Sequence, residues 1–256
     1  MICVPRLVSE LQHPDSRPFE LVADVYERAR PEYPAEAIAW LTERLDLREG
    51  RTVLDLGAGT GKLTRALVAT GAHVIAVEPG DAMRAELERA VPEAQAFRGA
   101  AEDIPLPDSS IDAITVGQAF HWFRHHEALP ELHRVLRPGG GVGLLWNSRD
   151  QDSPLQRVVN DLIATLVPPK RAVAFGSSGR LADSDLFGPM EERRFSFSQE
   201  LDADALVDRI ASISFVAAAP EAERLRIERE LRDLVATNGG IVAFPYVTDV
   251  YVARAQ

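Results

Sequence analysis

The sequence predicts an α/β fold built on a parallel, right-handed, doubly wound sheet, and three observations carry that prediction. Between Thr52 and Trp146, short apolar runs of strand length alternate with segments of helical periodicity. A glycine-rich turn, Gly57-Ala58-Gly59-Thr60-Gly61, joins the first of these runs to the helix that follows it. Two successive strands carry carboxylates at or near their carboxyl ends, Asp55 and Glu78, and open α/β sheets bind their ligands at that end.

Thr52 to Leu56 is a short apolar run with a β-branched start, the composition of a buried parallel strand. Lys62 to Ala69 follows as a helix closed by Gly71. Ala72 to Val77 is a second buried strand that ends at Glu78-Pro79-Gly80; Asp81 then caps a helix through about Ala90, which turns Met83 back over the same crevice. Gln95 to Phe97 is a third strand. Ile111 to Val116 is a fourth, entered through Asp112 and ending at Gly117-Gln118-Ala119-Phe120-His121-Trp122-Phe123. Glu127 to Leu136 reads as a helix stopped by Arg137-Pro138-Gly139-Gly140, and Gly141 to Trp146 as a fifth strand. Ahead of the sheet, residues 1 to about 18 read as an irregular arm and Ala35 to Leu47 as an amphipathic covering helix.

Beyond the fifth strand the pattern changes. Ser148 to Ser153 is a polar turn, followed by a helix from Leu155 to Leu166 and the breaker Pro168-Pro169. Phe175 to Pro189, rich in Gly, Ser and Asp, reads as a loop lining the substrate side. Glu192 to Ser198 and Val247 to Ala253 alternate as strands, with helices over Ala203 to Ile213 and Pro220 to Ala236 between them. On the second of those helices Arg224, Arg226, Arg229 and Arg232 interleave with Glu221, Glu223, Glu228 and Glu230, the pattern of a solvated, salt-bridged face.

The glycine turn has competing readings that spacing separates. The dinucleotide fingerprint requires G-x-G-x-x-G, and the third-glycine position holds Lys62. A phosphate-binding P-loop requires a glycine where the chain has Leu56 and a hydroxyl residue where it has Leu63. What remains is either a purely structural crossover or a site for an adenosyl cofactor. The acid at Glu78 favours the second, because it stands near the offset of a ribose-binding carboxylate and can accept from both ribose hydroxyls.

Taken together, Asp55-Leu56-Gly57-Ala58-Gly59-Thr60-Gly61, Glu78, the Ala101-Glu102-x-Ile104-Pro105 turn, the Asp112 strand and Leu136-Arg137-Pro138-Gly139-Gly140 resemble, in order and spacing, the class I S-adenosylmethionine-dependent methyltransferases over roughly residues 50 to 148. Tyr26-Glu27-Arg28-Ala29-Arg30-Pro31-Glu32-Tyr33-Pro34, with Gln118 to Phe123, is similar to the small-molecule subgroup that includes trans-aconitate methyltransferase-like proteins. The resemblance implies a Rossmann-like, mostly parallel seven-stranded sheet in which the last two strands form a C-terminal antiparallel edge hairpin, with the helices between them as a helical cap. It implies one domain over residues 35 to 256, with a cofactor-binding core at about 50 to 148, substrate-side and cap elements at about 149 to 243, and an N-terminal arm and lid segment over 1 to 34.

Carried over by position, the resemblance puts Asp55, Gly57, Ala58, Gly59 and Gly61 around the methionine portion of S-adenosylmethionine, with Glu78 and Pro79 at the ribose and Met83 on the adenine. Relatives often have Asp where this chain has Ala100, so the adenine contact shifts to the Ala101 backbone and the Glu102 side chain. Gln118 completes the cofactor shell, and Tyr26 and Arg30 lie near the methionine carboxylate, which a guanidinium suits well.

A sulfonium methyl is already activated, so the protein has mainly to align an acceptor and exclude water, with no metal needed and S-adenosylhomocysteine as the product. His121 and Trp122 are the expected substrate contacts, and His121 the candidate base for a phenol or amine acceptor. The alternative reading of His121 is an aromatic wall with Phe120, Trp122 and Phe123. The spacing of His121, His125 and His126 suits a metal, yet only Glu127 stands by to extend the ligand set, and no metal site is expected.

Composition narrows the partners. A net charge of −11 disfavours nucleic acid, whose phosphates need excess Lys and Arg, so a small molecule is the expected substrate. Cys3 is the only cysteine, which excludes an internal disulfide and fits a reducing, cytoplasmic setting. No apolar core of a signal peptide is read near the N-terminus, and Ile210 to Ala219 falls well short of the about 20 residues of a membrane span, so no membrane partner is expected. The chain is expected to be a monomer or homodimer. Two other classes compete with a methyltransferase: a nicotinamide-dependent oxidoreductase, disfavoured by Lys62, and an S-adenosylmethionine-binding protein without turnover.

Overall fold

A computed structural model of the protein describes residues 30–166 and 178–256. The expected arm, Tyr26 and the Pro168-Pro169 breaker lie outside these residues. Helix α1 (Ala35–Leu45) leads into β1 (Thr52–Leu56), α2 (Lys62–Val68), β2 (His73–Val77), α3 (Asp81–Ala90), β3 (Gln95–Phe97) and β4 (Ile111–Gly117). A 3₁₀ turn (Phe120–Trp122) precedes α4 (His125–Val135) and β5 (Leu136–Arg149). Then come α5 (Pro154–Ile163), α6 (Ser178–Ala182), β6 (Glu191–Leu201), α7 (Ala203–Ala211), α8 (Ser214–Ala217), α9 (Glu221–Thr237) and β7 (Val242–Arg254).

Seven strands form one sheet in the order β3-β2-β1-β4-β5-β7-β6. The first five pair in parallel, and β7 enters antiparallel between β5 and β6. Alternation along the strands divides the core into two faces. Leu54, Leu56, Ile114, Val116, Val142 and Leu144 pack beneath α4, while Val53, Val74, Ala113 and Leu145 pack against α1 and α2. Strands with nearly continuous apolar runs, such as β2, thus arise because helices cover both faces. A third cluster belongs to the cap: Leu206 and Ile210 of α7 and Ile227, Leu231 and Val235 of α9 close over Phe244 and Tyr246 of β7.

The structure moves several expected boundaries. The Arg137-Pro138-Gly139-Gly140 stop lies inside β5: Ile111 pairs with Leu136 and Ala113 with Gly141, so the residues between bulge opposite Asp112. The Asp112 carboxylate holds that bulge, accepting from Arg137 at 2.7 Å and from the Thr52 backbone at 2.8 Å. Helix α4 starts at His125 rather than Glu127 and ends before Leu136, which is a strand residue.

The described part of the expected loop over 175 to 189 instead contains α6 and buries Leu181 and Phe187 in the main core. Strand β7 begins at Val242, ahead of Pro245, because β5 ends opposite Tyr246 and leaves Pro245 facing only β6. On α9, Arg226 and Arg232 make the expected intrahelical ion pairs with Glu223, Glu230 and Glu228. Among the described residues no helix is long and apolar enough to cross a membrane.

Candidate active site

The parallel strands β1 and β4 lie side by side with Asp55 opposite Thr115, and β1 and β2 end level, Leu56 opposite Val77. The chain leaves β1 through backbone bonds from Gly57 and Ala58 to the Val77 carbonyl, at 2.8 and 3.2 Å. Gly57 has φ +70°, and a Cβ there would lie 2.7 Å from the Ala119 Cβ, so only glycine lets the turn pass beneath the β4 loop. Gly59, at φ +58°, differs: a Cβ there would meet no atom within 4 Å. The open side of the turn is therefore room for a ligand, bordered by backbone rather than by side chains.

Two carboxylates flank the turn. Asp55 is fully buried, its Oδ2 accepting from Thr64 Oγ1 at 2.6 Å and its Oδ1 from Thr115 Oγ1 at 3.5 Å. Burial pushes its carboxyl up to about 7 against the pull of those hydroxyl bonds, and the charge of Glu78 adds to the rise. Glu78 accepts from the Gly59 N–H through Oε2 and from the Gly80 N–H through Oε1, both at 2.9 Å. It therefore ties the glycine turn to the end of β2.

A cleft open to solvent runs from the glycine turn to the cap. Its wall includes the expected residues Arg30, Asp55, Gly57, Ala58, Gly59 and Gln118. Tyr33, Lys62, Asn147 and Arg209 join them without having been assigned from the sequence. Gln118 takes the left-handed conformation, φ +60°, just past β4 and donates to the Asn147 carbonyl at 3.0 Å, bridging the tips of β4 and β5. Segment 30–34 straps the cleft: Glu32 pairs with Lys62 at 3.1 Å and Arg65 at 3.0 Å, and Arg30 donates to the Ser212 carbonyl at 3.3 Å.

The other expected residues lie outside this wall, Gly61 and Glu78 among them. Met83 and Ala101 are buried, and Pro79, Glu102, His121 and Trp122 are partly so. Glu102 accepts from the Arg124 backbone N–H at 2.7 Å, so its carboxylate caps the start of α4 rather than facing the cleft through that oxygen. His121 packs against Trp122, ring centroids 4.6 Å apart and planes tilted by 41°, in the 3₁₀ turn beyond Gln118. His125 departs from the other histidines of the run: its Nε2 lies 3.1 Å from the Phe120 carbonyl, and burial lowers its pKa despite that bond. Lys62 and Tyr33 carried a signal in the sequence, one at the third-glycine position and one in the Arg30–Pro34 motif. Asn147 and Arg209 carried none, since only folding brings β5 and α7 to the turn.

Comparison with known proteins agrees with this geometry. A family model described as a methyltransferase domain matches residues 54–143. An uncharacterized methyltransferase of Mycobacterium tuberculosis is 40% identical over 235 residues, covering 90% of this chain and 92% of the relative. The chain belongs to the class I S-adenosylmethionine-dependent methyltransferases. An uncharacterized methyltransferase-like protein of Schizosaccharomyces pombe is 35% identical over 217 residues, 84% of each chain. A solved structure from Anaeromyxobacter dehalogenans, provisionally described as a type II methyltransferase, superposes with a TM-score of 0.66 at 28% identity, covering 88% of this chain and 97% of that one. These methyltransferase relatives align over 84% to 90% of this chain.

Proposed function

We propose that this methyltransferase moves the methyl group of S-adenosylmethionine to an oxygen, nitrogen or carbon atom of a small organic molecule by in-line displacement, as a protein of the cytoplasm. The observation that carries the reading is the open face of Gly59, a backbone turn beside a cleft lined by Asp55 and tied to Glu78 through the Gly59 N–H. The residues present fit the cofactor. Asp55, Gly57, Ala58, Gly59 and Gly61 surround its methionine portion, Arg30 its carboxylate, and Gln118 the same end of the cleft. Glu78, with Pro79, takes the ribose, its carboxylate held at the end of β2 by the Gly59 and Gly80 N–H groups. Met83 and Ala101 border the adenine, and Glu102 supports that turn from the start of α4.

Bound there, S-adenosylmethionine supplies a sulfonium methyl already activated for transfer, which leaves this chain to orient the acceptor and exclude water. The strap over 30–34 and the cap close the cleft from two sides. His121 and Trp122 contact the acceptor, and His121 takes up its proton where the accepting atom is a phenol or an amine.

Calorimetry with S-adenosylhomocysteine, followed by turnover of S-adenosylmethionine on a panel of acids, phenols and amines, tests the reading. Binding with turnover is expected, and binding with no turnover on any acceptor class would make the chain a cofactor-binding protein instead. The His121→Ala variant is expected to lower the transfer rate and spare cofactor affinity.

A further inference from the structure

The cap side of the cleft carries positive charge that the reaction so far does not use. Arg209, on α7, is 4% exposed and lines the cleft. Its Nε donates to the Tyr246 hydroxyl at 2.6 Å, while its Nη1 is buried with no hydrogen-bond partner among the described residues. Arg149 ends β5 directly opposite Tyr246 in the antiparallel ladder, so the two side chains stand on one face of the sheet. Its Nη1 is likewise buried and without a partner there.

Neither arginine forms an ion pair with a carboxylate among the described residues. Burial pulls Arg149 down to about 10, and the charge of Arg209 adds to the fall. Two guanidinium groups that repel one another in a buried setting are costly to maintain without an anion.

Tyr246 supplies the third group. Burial raises its pKa despite the neighbouring Arg209, so it keeps its proton, and its oxygen already accepts from Arg209. Its O–H is thereby left as a donor. Two guanidinium corners and a phenolic proton form a donor set for a planar carboxylate or a phosphate, with guanidinium groups able to bind either in bidentate fashion.

We propose that Arg209, Arg149 and the Tyr246 hydroxyl form an oxyanion subsite that binds the methyl acceptor, which is therefore a small molecule carrying a carboxylate or phosphate group. The inference rests on the cofactor reading above and adds the acceptor's chemical class. Arg30 serves the cofactor's own carboxylate at the strap, and Arg209 and Arg149 serve the acceptor from the cap.

The test is calorimetry on the full chain loaded with S-adenosylhomocysteine, titrated with succinate, with inorganic phosphate and with succinamide as the neutral counterpart. One oxyanion binds and succinamide does not; succinate alone assigns a carboxylate, phosphate alone a phosphoryl group. Arg209→Gln and Arg149→Gln each weaken the bound oxyanion at least tenfold and change S-adenosylhomocysteine affinity less than threefold. Tyr246→Phe, which keeps the ring packing, weakens the oxyanion severalfold and serves if an arginine variant fails to fold.

The proposal is overturned if neither oxyanion binds the loaded protein, or if succinamide binds as well as succinate. It is also overturned if the arginine variants lose S-adenosylhomocysteine affinity by the same factor, which would place these groups on the cofactor. Failure of S-adenosylhomocysteine to bind the wild-type chain is a separate result, and it removes the cofactor reading along with this one.

Discussion

The two ends of the cleft are built by opposite means. At the β1–β2 end the ligand-facing groups come from one short stretch, in which a glycine turn exposes backbone and Glu78 locks it from the neighbouring strand. At the cap end the wall is made by long side chains from separate elements, Asn147 from β5 and Arg209 from α7, with Tyr246 of β7 and Arg149 of β5 buried behind Arg209. A backbone-built site is nearly indifferent to side-chain identity except where a Cβ would collide or a carboxylate is removed. A side-chain-built site can change its ligand by substitution while the fold stays the same. The difference teaches that the first end suits a constant cofactor and the second a variable acceptor.

Gly57→Val strikes the first end hardest. Its positive φ and the 2.7 Å approach to Ala119 add strain to overlap, and a loss of about 3 kcal/mol is expected, read as a lower urea midpoint. An unchanged midpoint would show that the turn can rearrange and is not the rigid half of the comparison. Glu78→Ala is expected to weaken S-adenosylhomocysteine by about 2 kcal/mol in calorimetry, through lost charge-assisted hydrogen bonds.

Asp55 makes the first end pH-sensitive. Its carboxyl holds a proton up to about 7 in the folded chain and releases it at its ordinary acidic value once unfolded. The folded state therefore binds more protons between those values, and this group's contribution to stability, complete at low pH, disappears as pH rises through about 7. The cofactor's positive charge favours the ionised carboxylate, so affinity should climb by up to about tenfold per pH unit until about pH 7. Asp55→Asn should flatten both profiles; a variant that keeps either slope assigns it to another group.

Two substitutions in the cap set the lower end of the scale. The Asp202 side chain accepts from the Ala205 N–H at 2.9 Å and caps α7, the helix that carries Arg209. Asp202→Ala is expected to cost about 1 kcal/mol of stability in a denaturant titration and to leave cofactor affinity alone. Arg232→Gln removes exposed pairs to Asp204 and Glu228 and should not move the midpoint measurably.

Much of this molecule was legible before folding, and unevenly so. Strands β1 to β4 and the glycine turn were read nearly to the residue, because buried parallel strands are short apolar runs and glycine marks positive φ wherever it is required. The reading went astray where tertiary pairing overrides local signals. Arg137-Pro138-Gly139-Gly140 has the composition of a stop, yet Asp112 anchors it as a bulge within β5. Pro245 breaks a strand pattern, and β7 runs through it because no β5 partner lies opposite. Glu102, which the resemblance puts at the adenine, has a second task that no local signal shows, because one of its carboxylate oxygens caps α4.

Local order alone determined the class of fold, the methyl-donor family and the glycine turn with its two acids, since each depends on residues near one another in the chain or on strand ends that parallel topology must align. Tertiary structure decided the other wall. Arg149 and Tyr246 lie far apart in sequence and meet through antiparallel register, and Arg209 joins them only when α7 folds over β7. An arginine on a helix reads as a solvated charge in any sequence. Its burial without a carboxylate becomes visible only when the chain closes around it, and burial is what turns an ordinary surface residue into a demand for an anion.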